Sequence, residues 1–196
     1  MKCWYRLNID TANAIKPDFK FVIPNKLLGI WHYPATNIFN SDWLQYIKNK
    51  GILVKSAMVF YRAPYANAPT AHIDLARPEP TSDQISVSNF GINWTIGGAG
   101  SKMVWYDDSL LNKNIVKFTE SNNPFMDWPI RGLTEIDSIE VGSSLTLVKV
   151  NTPHTVLMKE EPRWCISART AIRHDYEWNE VVKLLKDKGL LIARED

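Results

Sequence analysis

The stretch HTVLMKEEPRWCISAR, residues 154–169, sets two short runs of strand character on either side of Glu-Glu-Pro. HTVLMK (154–159) and RWCISAR (163–169) carry the β-branched and aromatic content of strands, and the short turn between them predicts a hairpin. Counted alternately, Arg163, Cys165, Ser167 and Arg169 share one face of the second strand, while Trp164, Ile166 and Ala168 share the other. A run of polar side chains along one strand face is the mark of a wet or ligand-filled interior.

Outward from this stretch the pattern stays β. ILVKSAMVFYR (52–62), ISVSNFGINWTIGG (85–98), KMVWYD (102–107), NIVKFTE (114–120) and SLTLVKV (144–150) read as strands punctuated by Gly, Pro, Asn and Asp clusters. NSDWLQYIKNKG (40–51) predicts a helix, with Asn40 or Ser41 as cap, Trp43, Leu44 and Ile47 as apolar stripe, and Gly51 as stop. YEWNEVVKLLKDKGLL (176–191) predicts a closing helix whose Trp178, Val181, Val182, Leu184 and Leu185 suit one face. The expectation is a mainly β fold, a sandwich or distorted barrel buttressed by N-terminal and C-terminal helices. It forms one domain over 1–196: an N-terminal extension with a helix over 1–51, a β core over 52–172, and a C-terminal helix over 173–196.

A chain of 196 residues is long enough to bury about 70% of its unfolded surface. Its 23 basic and 21 acidic residues are interspersed, for a net charge of +2. No basic block predicts a nucleic-acid partner and no basic amphipathic run predicts a membrane surface. MKCWYRLNIDTANAIKP, at the start, lacks the apolar stretch of a signal peptide, and no run of apolar residues is long enough to span a bilayer. Two cysteines, Cys3 and Cys165, make neither a disulfide framework nor a zinc cluster. The expected location is cytoplasmic. Eight tryptophans are many for this length; most are expected as core filler, with Trp94, Trp105 and Trp164 the candidates for lining a cleft.

PTAHIDLARP (69–78) contains one of four histidines, with an aspartate two residues later. Composition alone predicts about 0.4 such His-x-acid spacings, so the pair needs support from elsewhere in the chain. If AHIDL is extended, His72 and Asp74 project from one face, as two ligands of one ion must. A third ligand is sought among His32, His154 and His174; His154 is favoured because it opens a strand directly after Pro153, where a side chain can face a cavity. Two histidines and a carboxylate leave three positions open, the facial arrangement of non-haem Fe(II) oxygen chemistry. Arg163, nine residues after His154, supplies a guanidinium that can grip a carboxylate with two parallel hydrogen bonds.

A His-x-Asp pair, a distal His, then Arg followed by an aromatic and x-Ile-Ser resembles the Fe(II)/2-oxoglutarate-dependent oxygenases, in their prolyl-hydroxylase type. SAMVFYRAPYANAPTAHID (56–74) is similar to that type's first barrel strand and loop, and GINWTIGG (91–98) to the strand after its His-x-Asp. The likeness covers roughly residues 52–172. It implies a double-stranded β-helix, a jelly-roll or cupin-like barrel. It implies that His72, Asp74 and His154 bind iron and that Arg163 binds the distal carboxylate of 2-oxoglutarate. Asn93 and Thr95, sharing a face, stand where the family places a side chain that helps hold that carboxylate, though neither is the tyrosine typical of prolyl hydroxylases. Near the matching first-strand tyrosine the chain reads FYRAP, so Tyr61 or Arg62 fills that role, and Ser167 lies on the same face as Arg163. The implied activity is hydroxylation of a peptidyl residue or small molecule with O2, releasing succinate and CO2. The spacing from Asp74 to His154 exceeds that of compact members and predicts an insertion around NKNIVKFTESNNPFMDWP (112–129).

Plainer readings stand beside each of these. His72 and Asp74 pair with each other at a strand end, His154 caps the hairpin, and Arg163 bridges to Glu160 or Glu161 across its own turn. Arg169, at the far end of its strand, is expected as an ordinary surface or ion-pair residue, with a second carboxylate-binding arginine as the alternative because some members of the resembled family place theirs later. Cys165 is expected as inward packing. As a whole, the alternatives are a cupin-like metal-binding barrel, against which the lack of a His-x-His pair counts, and an inactive binding module of the oxygenase fold.

Overall fold

The computed structural model describes residues 2–76, 86–109, 115–119, 123–140, 142–172 and 176–192. The elements run β1 (Trp4–Arg6), β2 (Leu28–Pro34), α1 (Ala35–Ile38), α2 (Ser41–Asn49), β3 (Val54–Arg62), β4 (Thr70–Ala76), β5 (Ser86–Val87), β6 (Phe90–Gly97) and β7 (Lys102–Tyr106). They continue with β8 (Lys117–Phe118), β9 (Pro124–Pro129), β10 (Glu135–Glu140), β11 (Thr146–Lys149), β12 (His154–Leu157), β13 (Arg163–Thr170) and α3 (Trp178–Asp187). The fold is mainly β, in two antiparallel sheets. One has the order β1-β11-β6-β13-β3-β2; the other runs β10-β7-β12-β4-β9-β8, with β5 paired to β4.

The alternation on β13 decides how the layers stack. Trp164, Ile166 and Ala168 face the helices, joined there by Val59 of β3, Trp94 of β6, Trp43 and Ile47 of α2, and Val181 and Leu185 of α3 in one buried cluster. Phe39, Trp43 and Trp94 form a triangle of rings, Phe39 stacking on Trp43 at 4.9 Å and on Trp94 at 6.2 Å. Each such side chain contributes about 1.5–3 kcal/mol of burial. Helix α2 ends where Gly51 takes a positive φ of 84°, a conformation that other residues adopt only with strain. Helix α3 starts on a reciprocal pair of side chain–backbone hydrogen bonds from Glu177 and Glu180, and buries Trp178, Val181 and Leu185 as one stripe. The opposite face of the six-stranded sheet meets the second sheet. At one end the gap is filled by Met103, Trp105, Ile139, Val148, Val156 and Met158; elsewhere it holds the polar side chains of β13. Among the described residues no helix is long and apolar enough to cross a membrane.

Four expectations change. The strands of residues 154–169 do not form a hairpin: β12 pairs with β4 and β7, whereas β13 pairs with β3 and β6 in the other sheet. Side-chain and backbone partners draw the connection aside, with Met158 N–H donating to Asn67 Oδ1 (2.6 Å) and Tyr65 N–H to the Lys159 carbonyl (2.9 Å). Residues 85–98 are likewise two strands. They break at Ser88–Asn89, where Ser88 N–H donates to the Asp74 carbonyl and Asn89 Nδ2 to that of Tyr176, so the chain changes sheet; residue 85 lies outside the described residues. The N-terminal segment is no mere extension, since β1 and β2 are the two edges of the six-stranded sheet. The segment expected as an insertion supplies β8 and β9, and β9 is an integral neighbour of β4. Within it, 112–114 and 120–122, with them the ends of the expected strand 114–120, lie outside the described residues, as do 110–111 before it and 173–175 and 193–196 at the C-terminus.

Candidate metal centre

His72 and Asp74 lie two apart on β4 and so share its inner face. His154 is the direct partner of His72 across the β4–β12 pair, and directly opposed residues of antiparallel strands point the same way. The His72 and His154 rings lie 4.5 Å apart, His72 Nε2 is 3.8 Å from Asp74 Oδ1, and one ligand atom from each of the three lies within 4.8 Å of the others. A quarter of the His72 side chain and two-fifths of the Asp74 side chain stay accessible, leaving room for further ligands. Of the other histidines, His32 sits on the exposed edge strand β2, where Asn123 Nδ2 is 3.4 Å from its Nε2; His174 lies outside the described residues.

The donor set suits a divalent cation. His154 Nδ1 is 3.0 Å from the Thr152 carbonyl; donating there, it leaves the Nε2 lone pair for a metal, an orienting bond typical of metal-binding histidines. Bonds of about 2.1 Å bring neighbouring ligand atoms to about 3 Å, so modest side-chain rotations would close the triad. Burial, then the adjacent His154, pushes the His72 pKa down to about 3, and burial also lowers that of His154. Both imidazoles are therefore neutral at neutral pH, the form that ligates. Unfolded histidine titrates near 6.5. Below that pH the unfolded chain takes up protons that the folded one refuses, so stability falls from about pH 6.5 toward 3 and is flat above. In chelator-treated protein, the urea unfolding free energy is expected to drop by roughly 2 kcal/mol between pH 6.5 and 4.5 from His72. His72→Gln should flatten that part of the profile; an unchanged slope would contradict the neutral imidazole.

Across the cavity, Arg163 is buried with its Nε unpartnered, and among the described residues no carboxylate lies within ion-pair distance of it. Glu161 accepts from Ala99 N–H instead (3.2 Å), so the expected bridge across the turn is not formed. Arg163 opposes Arg62 on β3 and Gly97 on β6. A Cβ on Gly98, whose φ is +72°, would come within 2.8 Å of the Arg163 Cβ; the glycine is what lets the arginine stem lie there. Arg62 faces the same cavity, and burial, then Arg163, lowers its pKa to about 10.

The remaining residues sort by register. Ser167 opposes Asn93, and Cys165 opposes Thr95, all on the inner face. Asn93 Oδ1 is buried without a hydrogen-bond partner, whereas the Thr95 hydroxyl is committed to the Gly142 carbonyl. Tyr61 corrects an expectation. It opposes Trp164 and packs against it on the helix side, so alternation aims it away from the cavity and makes Arg62 the inward member of FYRAP. Trp164 and Trp94 share that helix side. Only Trp105, fully buried and opposite His154, borders the site. Asp127 and Phe125 of β9, opposite His72 and Asp74, were not singled out because their segment reads as an insertion; the period-2 alternation of FMDW was the available signal.

No family model matches the chain, and no curated protein matches it. Among solved structures, the X-ray structure of E. coli ycfD matches at 12% identity and a TM-score of 0.33. The match covers 68% of this chain and 29% of that one, a likeness too slight to carry fold or activity across.

Proposed function

We propose that this protein is a non-haem Fe(II)- and 2-oxoglutarate-dependent oxygenase built on a double-stranded β-helix, hydroxylating a small molecule or peptidyl residue. The observation that carries the reading is the His72–Asp74–His154 cluster on one sheet facing a buried, unpartnered Arg163 on the other. Bound iron would supply the activation of O2 that couples decarboxylation of the 2-oxo acid to oxidation of the substrate. The protein's own contribution is placement. Thr152 holds the His154 tautomer, Arg163 orients the co-substrate by its distal carboxylate with Arg62 beside it, and Trp105 and Phe125 keep water from the flanks of the triad.

Anaerobic titration of metal-free protein with Fe(II) and 2-oxoglutarate tests this. A visible metal-to-ligand charge-transfer band is expected in the wild type and its loss in His72→Ala. A folded wild-type protein that takes up neither metal nor 2-oxoglutarate would sink the proposal.

A further inference from the structure

The inner face of β13 carries a second arginine. Arg169 is six residues beyond Arg163 on the same face, about 20 Å along the strand, so the two guanidinium stems are rooted at opposite ends of it. The expectation of an ordinary surface or ion-pair residue fails. Arg169 is only partly accessible, and among the described residues it has no ion pair. Among the described residues its one side-chain partner is the Met58 thioether, against which Nη2 packs, and a thioether is a weak acceptor for a guanidinium with five N–H donors.

Register places Arg169 at the opposite end of the inner face of β13 from Arg163, which opposes Arg62 and Gly97 while Arg169 opposes Ser56. Arg169 feels Asp74 and acts on His32, whereas Arg62, beside Arg163, acts on His72 and His154. Both ends of the strand thus carry a guanidinium within electrostatic reach of the triad. The Arg169 end is bordered by Met58, by Ser167 and by His32, which oppose one another across β13, β3 and β2. There the His32–Asn123 contact links the edge strand of one sheet to the segment entering β9 of the other.

We propose that Arg169 receives a carboxylate of the primary substrate, so that the compound oxidised is a small carboxylic acid. This rests on the oxygenase reading for its chemistry but not for its test. Straight-chain acids from acetate to hexanoate, each against its uncharged amide, are titrated by calorimetry into protein held anaerobically with Fe(II) and saturated with 2-oxoglutarate, in wild type, Arg169→Gln and Arg169→Lys. At least one acid is expected to bind about tenfold or more tightly than its amide. Arg169→Gln should erase that preference, Arg169→Lys should restore part of it, and 2-oxoglutarate affinity should change less than twofold in both.

If 2-oxoglutarate does not bind the wild type, the oxygenase reading fails. The same pairs, run on Arg163→Gln with and without Arg169→Gln, then still decide the inference. No acid preference in the wild type, or a preference that survives Arg169→Gln, overturns it. So does a loss of 2-oxoglutarate affinity in Arg169→Gln, which would make this arginine the co-substrate grip.

Discussion

Asp74→Ala is expected to abolish 2-oxoglutarate turnover and to weaken Fe(II) uptake by at least about a hundredfold. Asp74 brings the only negative charge of the three ligands; without it the metal's charge meets two neutral imidazoles, and the neighbouring carboxylate opposite His72, that of Asp127, is paired with Lys117. The fold should survive, because two-fifths of this side chain is accessible and the backbone of Asp74, not its carboxylate, bonds Val150 and Ser88. Circular dichroism with Fe(II) titration separates the two effects. Full turnover in the folded variant would remove the aspartate from the metal and the iron assignment with it.

Arg163→Met should raise the 2-oxoglutarate KM by about thirtyfold or more while leaving the thermal midpoint unchanged or higher. Affinity and stability part company here because the guanidinium is buried with, among the described residues, no carboxylate within ion-pair distance, and with Arg62 opposite. Such a charge weakens the empty protein, and an apolar side chain of similar volume relieves that cost. A structural arginine behaves the other way, its loss lowering the midpoint and sparing KM. Steady-state kinetics beside a melting curve distinguishes them, and a KM within twofold of wild type would end Arg163's role as the grip.

What the sequence discloses here depends on the range over which each feature is set. Period-2 alternation is local, so the faces of β13 and the shared face of His72 and Asp74 can be read directly. The two helices declare themselves through Trp43 and Ile47, and through Trp178, Val181 and Leu185. Partnership between strands is not local. Glu-Glu-Pro permits a hairpin, but the bonds to Asn67 and from Tyr65 that divert the chain involve residues roughly a hundred positions upstream. The same limit hid β9, whose inner residues Phe125 and Asp127 matter only because β4 lies beside them. It also left Tyr61 and Arg62 unresolved, since a one-residue choice of register exchanges the faces.

The passage from β12 to β13 sets His154 on one sheet and Arg163 on the other, with only Thr155 to Pro162 between them. Eight residues of chain therefore act as a caliper, and on the proposed reading they fix the gap that an acid bridging metal and guanidinium must fill. A family of catalysts diversified from this scaffold could lengthen its rim loops freely, but a residue gained or lost in the caliper would reset the chain length of the acid it accepts.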